Sequence, residues 1–191
     1  MFGSGKKSRG KKQDTNAPEI RQAVVPPAAQ RASASHNPGI QPPPHTDFVV
    51  EFAKAAGDAI LRGGSVSATI CDGFVMLGGG IATSASSGKI SEGYTVVLPD
   101  AFEANASGRT IRMTVLARAT STPVNFKLAY STNEVGNSGW KMFEAGVAFT
   151  EHTLEWAVPP MKDGRGDFAG IQPPLAGEGT IDVAWLSLTI K

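Results

Sequence analysis

The sequence predicts an all-β protein, an antiparallel β-sandwich of about eight to nine strands that follows a disordered arm. Apolar and polar residues alternate over 124–130 and 153–158, which is the side-chain period of a half-buried strand. From Ser65 onward, short strand-like segments are separated by Gly, Pro and Ser turns. Residues 1–45 hold seven of the 13 prolines, which indicates a change of character near His45. We therefore predict an arm at 1–45 and a sandwich domain at 46–191.

The arm is basic and rich in proline. It carries seven Lys and Arg residues against two acids, a net charge of +5, whereas residues 46–191 have a net charge of −4. The arm has too little apolar surface to offset an ordering cost of about 1–2 kcal/mol per residue, which predicts disorder. Pro26-Pro27 and Pro42–Pro44 favour extended polyproline conformations, so the end of the arm is expected to act as a semi-stiff spacer.

The partners of the arm follow from its charge. The basic cluster at 6–12 suits nucleic acid, anionic lipid or an acidic protein surface, and the alternative is a solubilising tail. No aromatic residue interleaves with the cluster, so sequence-specific nucleic-acid recognition is not expected. We predict that residues 1–45 contact other subunits of a larger assembly and that the protein is a homo-oligomer.

The sequence shows no pattern typical of a targeting signal, which predicts synthesis in the cytoplasm. The basic N-terminus is not followed by the apolar region of about 7–15 residues that a signal peptide has. No run of about 18 apolar residues occurs in the chain. The sequence therefore predicts neither a signal peptide nor a membrane span.

One helix is predicted, at the start of the domain. From Phe48 to Arg62, apolar residues recur at helical spacing, and acidic and basic residues line the opposite face. Thr46 fits an N-cap, and Gly63-Gly64 would end the helix. The alternative is an opening strand over 48–52 followed by a turn at Gly57-Asp58. We favour the helix.

The rest of the domain consists of predicted strands. On the 110–119 strand, Ile111, Met113, Val115 and Ala117 alternate with Arg112, Thr114, Leu116 and Arg118, so one face is expected to be buried and the other to meet solvent. The predicted segments are Ser65–Cys71, Phe74–Leu77, Tyr94–Leu98, Thr110–Ala119, Val124–Tyr130, Trp140–Phe143, Thr153–Val158, Phe168–Ile171 and Ile181–Ile190.

The second half of the chain contains, in order, a polar loop, Gly139-Trp140, Phe143, the aromatic strand Leu154–Pro159 and the closing segment Ile181–Leu188. This order of segments resembles that of the jelly-roll carbohydrate-binding modules, which are galactose-binding-like β-sandwiches. The resemblance covers 65–191. It implies a jelly-roll fold and non-catalytic glycan binding through aromatic residues on a concave face or at loop tips. Many such modules hold a structural calcium, but no clustered acidic ligand set is visible here. No cofactor is therefore predicted.

Trp185 is the first candidate for ligand binding. Alternation in the last strand groups Ala184, Leu186, Leu188 and Ile190, which places Trp185 on the other face with Ser187 and Thr189. A large aromatic ring among small hydroxyl residues suits stacking on a sugar. The alternative is that Trp185 fills space beneath the arm or a neighbouring subunit. Trp156 shares its face with Leu154 and Val158 and is expected in the core.

Further candidates surround the polar loop at 131–139, because amphipathic aromatic residues flank this loop on both sides. The predicted ligand-binding residues are Trp185, Trp140, Tyr130, Asn137 and Arg118.

Catalytic patterns are weak. His36, His45 and His152 are too scattered for a triad or a zinc site, and Gly78–Gly80 lacks the Lys-Ser/Thr of a phosphate loop. Four carboxylates that could supply a pair, Glu144, Glu151, Glu155 and Asp167, are typical of any β-protein surface. We predict no catalytic residue and no metal ligand.

Three functions are compatible with these features: a glycan-binding jelly roll tethered by its arm, a structural β-sandwich subunit of a virion or other assembly, and a polysaccharide-active enzyme, which is the least supported. Glycans of this kind lie mostly outside the cell, and a protein without an export signal needs another exit. Release within a phage-like particle would provide one. This joins the first two functions in a particle-borne spike or fibre that attaches to host polysaccharide.

Overall fold

Two antiparallel sheets packed face to face contain the strands of the described residues. The structure, a computed structural model, describes residues 41–54, 60–80, 89–163 and 165–191. The predicted disorder of the arm concerns residues that lie almost entirely outside these ranges and stays a prediction. Every strand pairing within the described ranges is antiparallel, which confirms the predicted β-sandwich.

Sheet 1 is built around the long last strand, β12. Its strand order is β10-β6-β12-β4-β3, and β1 also pairs with β12. β4 and β1 pair with successive parts of β12, at 180–183 and 185–188 respectively, while β6 pairs along the other edge. Its strands are β1 (Phe48–Glu51), β3 (Ser67–Cys71), β4 (Phe74–Gly78), β6 (Thr110–Ala119), β10 (Thr150–Ala157) and β12 (Thr180–Ile190).

Sheet 2 has the order β2-β5-β11-β7-β8, and β9 also pairs with β7. β7 therefore has β11 on one side and the polar loop with β9 on the other. Its strands are β2 (Ile60–Arg62), β5 (Tyr94–Val97), β7 (Val124–Thr132), β8 (Gly136–Asn137), β9 (Lys141–Ala145) and β11 (Phe168–Gln172).

The core lies between the inner faces of the two sheets. Ile111, Met113 and Val115 of β6 face Phe126 and Leu128 of β7, and none of these side chains is more than 1% exposed. The period-two pattern predicted this set correctly. It did not predict the opposite face of β6, where Thr114 and Leu116 are also buried.

The predicted helix over 48–62 is wrong in its described parts. β1 pairs with β12 and β2 pairs with β5, so the first part of the range lies in sheet 1 and the last part in sheet 2. The alternative opening strand is confirmed, because Phe48, Val50 and Phe52 turn towards the core while Val49 is 40% exposed. The proposed turn at Gly57-Asp58 lies outside the described residues.

The α-helix of the described residues lies elsewhere. α1 (Asp100–Ala106) follows Pro99 and has Asp100 and Glu103 in its first turn, where acidic residues complement the helix dipole. The sequence pattern had left this range as a connection between strands. A 3-10 helix spans Ile90–Glu92. Neither helix, nor any other in the described ranges, is long and apolar enough to cross a membrane.

Candidate functional site

The outer face of sheet 2 presents polar side chains in a defined register. Because Phe126, Leu128 and Tyr130 of β7 point into the core, Asn125 and Lys127 lie on the outer face. Lys127 pairs with Gln172 of β11 on one side and with Met142 of β9 on the other. Three neighbouring strands thus supply an amine, a carboxamide and a thioether in one row across the sheet.

This row lines a groove of about 210 Å³, called here the sheet-2 groove. Met142 is 63% exposed, whereas Gln172 is only 4% exposed. Apolar and hydrogen-bonding groups therefore line the same concave surface, the mixture that small-molecule sites use. The lining residues are Asn125, Phe126, Lys127, Met142, Gln172, Pro173, Leu175 and Glu178.

Trp140 lies over the next row of the same face. Gly170 of β11 pairs with Ala129 of β7 and with Thr95 of β5, and these three small residues form a second row. This row lies two residues, about 7 Å, along the strands from the row of Lys127. A Cβ atom built on Gly170 would lie 3.1 Å from Cη2 of Trp140 and 2.4 Å from Cγ2 of Ile90. The half-buried Trp140 ring and Ile90 thus rest directly on the β11 backbone, beside the sheet-2 groove.

Asn137 belongs to the polar loop that leads to Trp140. Its Oδ1 accepts a hydrogen bond of 2.8 Å from the backbone N–H of Gly139, and its side chain is exposed. The loop is tied back to β7, because Ser138 Oγ accepts a bond of 2.9 Å from Tyr130 N–H and Ser138 N–H donates to the Tyr130 carbonyl over 2.8 Å. These bonds hold Asn137 and Trp140 at a fixed edge of sheet 2.

Tyr130 points to the other side of β7. Its side chain is fully buried in the core, with its ring centroid 5.7 Å from that of Trp156. The structure thus places the predicted ligand-binding residue Tyr130 in the core, where its ring is not exposed to solvent. Trp156 packs against the core as predicted.

Trp185 lies on the outer face of sheet 1, opposite the core-facing Leu186 and Leu188, as alternation predicted. Ala184 does not join that apolar set, because a β-bulge between Val183 and Trp185 leaves it without a partner in β6. The side chain of Trp185 is only 1% exposed, so the structure shows a packed ring rather than one open to a ligand. It forms a small second cluster with Leu116, Ala184, Phe74 and Phe149.

Arg118 borders this second cluster. Its Nε donates a hydrogen bond of 3.0 Å to Oδ2 of Asp182, whose side chain is 1% exposed. Its guanidinium carbon lies 4.5 Å from the ring centroid of Phe149 and 5.5 Å from that of Phe74. Arg118 thus neutralises a buried carboxylate and covers an aromatic pair.

The five predicted residues therefore lie in three places. Trp140 and Asn137 belong to one edge of sheet 2, Trp185 and Arg118 to the outer face of sheet 1, and Tyr130 to the core. The groove residues Lys127, Met142 and Gln172 were missed. Alternation in β7 marked Lys127 as outward-facing, but nothing local indicated that β9 and β11 flank it.

Metal ligands are not grouped in the described part of the chain. Within 41–54, 60–80, 89–163 and 165–191, no three His, Cys, Asp or Glu side chains come together as a metal site. Of the four carboxylates assigned to the surface, Asp167 is fully buried, and that assignment is wrong for it.

Comparison with solved structures gives similar folds at low sequence identity. The "BiXyn10A CBM1" structure has a TM-score of 0.51 and 13% identity, over 75% of this chain and 97% of that one. A xylan-binding domain from CBM 22 has a TM-score of 0.53 and 10% identity, over 78% and 97% respectively. The CBM22-1 and GH10 modules of Clostridium thermocellum endo-1,4-β-D-xylanase 10B, complexed with xylohexaose, have a TM-score of 0.56 and 13% identity, over 78% of this chain and 29% of that chain.

The chain has the β-sandwich fold of carbohydrate-binding modules. Structures of this fold match about three quarters of the chain, which confirms the resemblance drawn from the sequence. No family model matches the sequence, and no curated protein is similar to it in sequence.

Proposed function

We propose that this protein is a non-catalytic module that binds a polysaccharide in the sheet-2 groove beside Trp140. The observation that carries the proposal is the row Met142–Lys127–Gln172, which combines an exposed apolar side chain with a buried carboxamide and an amine on one concave sheet face. A sugar ring has an apolar face and a rim of hydroxyl groups, and it needs both kinds of contact.

The groove offers each kind of contact in a separate place. Met142, Pro173 and Leu175 supply apolar surface. Asn125, Gln172 and Glu178 supply hydrogen-bond acceptors, and Lys127 supplies a donor. Gln172 is almost fully buried, so its carboxamide is held in position before a ligand arrives, which reduces the entropy cost of binding.

The fold supports a β-linked polysaccharide as the ligand class. One similar structure is described as a xylan-binding domain, and another is a complex with xylohexaose. We therefore propose xylan-like chains as the first ligands to test. Non-catalytic binding is part of the proposal and predicts that the polysaccharide is recovered at its original length after incubation with the protein.

We place this binding in a particle-borne attachment protein, with the arm as its tether. The support is the charge asymmetry of the chain, +5 over residues 1–45 against −4 over residues 46–191, together with the proline-rich spacer. Light scattering on the full chain and on a 46–191 truncation tests the arm. The full chain is expected to be an oligomer, and the truncated chain is expected to contain fewer subunits. Equal subunit numbers in the two would show that the arm does not contribute to assembly.

Glycan binding is tested by titrating the full chain with xylohexaose and with a polysaccharide panel in a calorimeter. Lys127→Ala and Met142→Ala are expected to weaken binding several-fold while the free energy of unfolding is unchanged. Ile70→Ala is the control for Met142→Ala, because Ile70 is exposed to a similar degree, 57% against 63%, but lies on β3 in sheet 1. If both groove variants bind glycan with the affinity of the parent chain, the sheet-2 groove is not the binding site. A parent chain that binds no glycan would favour the structural subunit.

A further inference from the structure

Two buried carboxyl groups join α1 to the connection between β10 and β11. Glu103 of α1 and Asp167, the residue before β11, are both fully buried. The backbone N–H of Asp167 donates a hydrogen bond of 2.9 Å to Oε1 of Glu103. The second oxygen of Glu103 and Oδ1 of Asp167 accept no hydrogen bond from the described residues. The two carboxyl groups thus each have a buried oxygen with no donor within hydrogen-bond distance among the described residues, although the backbone N–H groups of Gly166 and Asn133 lie near enough to lower the pKa of Glu103 and of Asp167 respectively.

The charged surroundings do not neutralise this pair. On α1, Asp100 adds a negative charge, and it is itself contacted by Arg165 over 3.8 Å at the protein surface. From β7, Tyr130 approaches with its hydroxyl group, and from the turn after β7, Glu134 adds another negative charge near Asp167. Arg165 is 76% exposed and pairs with Asp100 at the surface. Two full negative charges at the buried pair are strongly disfavoured, because both lose their solvation without a buried cation to offset it.

The same pair fastens the β10–β11 connection, defined here as residues 158–163 and 165–167. At its first half, Met161 N–H donates to Ser107 Oγ over 2.7 Å, just beyond the end of α1. In its middle, the N–H groups of Lys162 and Asp163 donate to the Glu134 carboxylate over 2.9–3.0 Å. At its last residue, the connection is held by Glu103 and Tyr130 through Asp167. The connection is thus anchored mainly by acidic acceptors.

We propose that Glu103 and Asp167 carry one negative charge between them, and that this half-protonated acid pair is a pH-sensitive latch that holds the β10–β11 connection against α1 and β7. The proton comes from solvent and returns to it. When the pair holds the proton, the protonated carboxyl supplies the donor that the other lacks. When the proton leaves, two buried negative charges repel each other, and the connection separates from α1.

The direction of the pH effect follows from burial. Burial raises the pKa of Glu103 to about 7, and the nearby Asp167 and Asp100 charges act in the same direction, against the backbone hydrogen bond from Asp167. Burial also raises the pKa of Asp167, against the hydrogen bond from Tyr130. At a pH between the two pKa values, a carboxyl group whose pKa is raised by folding keeps its proton in the folded state and loses it in the unfolded state. The contribution of the pair to stability is therefore greatest at acid pH and falls as pH rises from about 4.5 through 7.

Two measurements on the full chain test the latch. In carboxyl-carbon NMR, the Glu103 side chain is expected to titrate near pH 7, and a midpoint near the ordinary glutamate value of 4.5 would overturn the proposal. In urea unfolding, the folded-to-unfolded equilibrium constant is expected to fall on the order of tenfold between pH 5 and pH 8, beyond the change caused by other groups.

Glu103→Gln isolates the contribution of the pair to that fall. Glutamine keeps an oxygen for Asp167 N–H and adds a permanent donor, so it imitates protonated Glu103. This variant is expected to lose the tenfold fall and to be more stable than the parent chain at pH 8. Glu151→Gln, on the exposed edge of β10, is the matched control and is expected to keep the fall. A Glu103→Gln variant with the parent's pH dependence would overturn the latch, and the NMR midpoint decides the question if the variant does not fold.

Discussion

The hydroxyl group of Tyr130 donates a hydrogen bond of 2.8 Å to Oδ2 of Asp167 in the fully buried interior of the domain. It joins β7 of sheet 2 to the residue that precedes β11. Alternation along β7 turns Tyr130 towards the core, and the connection before β11 brings a buried acceptor to its hydroxyl group there.

Tyr130→Phe is expected to lower the free energy of unfolding by about 1–3 kcal/mol, because a buried acceptor loses a donor. The hydrogen bond from Tyr130 lowers the pKa of Asp167 against the effect of burial, so its loss raises this pKa further. The cost is therefore larger at pH 8 than at pH 5. Urea unfolding at both pH values measures it. Tyr94→Phe, at the chain's other tyrosine, is the control, and an equal cost in the two variants would contradict the prediction.

Trp185→Ala is expected to cost about 3–5 kcal/mol of stability, because it opens a cavity in the cluster with Leu116 and Phe74. Trp185→Phe is expected to cost less, since it keeps most of the ring volume. Affinity of the folded fraction for xylohexaose is expected to be unchanged, since the ring is 1% exposed and lies on sheet 1. A stable Trp185→Ala variant with weakened binding would restore Trp185 as a ligand-binding residue.

Arg118→Ala is expected to cost about 3 kcal/mol, because it leaves the Asp182 carboxylate buried without its cation. Adding Asp182→Asn removes the charge and is expected to recover part of the loss. Chemical unfolding of the parent, the two single variants and the double variant gives the coupling free energy. Additive losses would show that the pair does not stabilise the fold, and reduced glycan affinity at full stability would support the original ligand-binding prediction for Arg118.

Gly170→Ala is expected to displace Trp140 and Ile90, because the new Cβ would lie within 3.1 Å of both side chains. The expected result is a change in tryptophan fluorescence together with several-fold weaker binding in the sheet-2 groove. Gly146→Ala is the control, since a Cβ at Gly146 meets no atom within 4 Å. Unchanged fluorescence and affinity in Gly170→Ala would separate Trp140 from the proposed site.

Local patterns were ambiguous at the start of the domain. Phe48 and Phe52 satisfy both a helical spacing of four and a strand spacing of two. The choice depends on β12, which lies more than 130 residues away and supplies the hydrogen-bond partners of β1. The short helix α1 was missed for the opposite reason, because its apolar residues Phe102 and Ala106 span little more than one helical turn.

The sequence by itself determined the class of the fold and the two faces of its best strands. Alternation of side chains is local, so it showed that Lys127 points away from Phe126 and that Trp185 points away from Leu186. Only the tertiary structure decided which outward side chains meet and which of them are covered. Strand pairing joins residues that are distant in the chain, and it placed Gln172 and Met142 beside Lys127 and packed Phe74 and Phe149 against Trp185. A β-bulge at Ala184 also shifts the register between β12 and β6, and no periodic pattern of side chains indicates it.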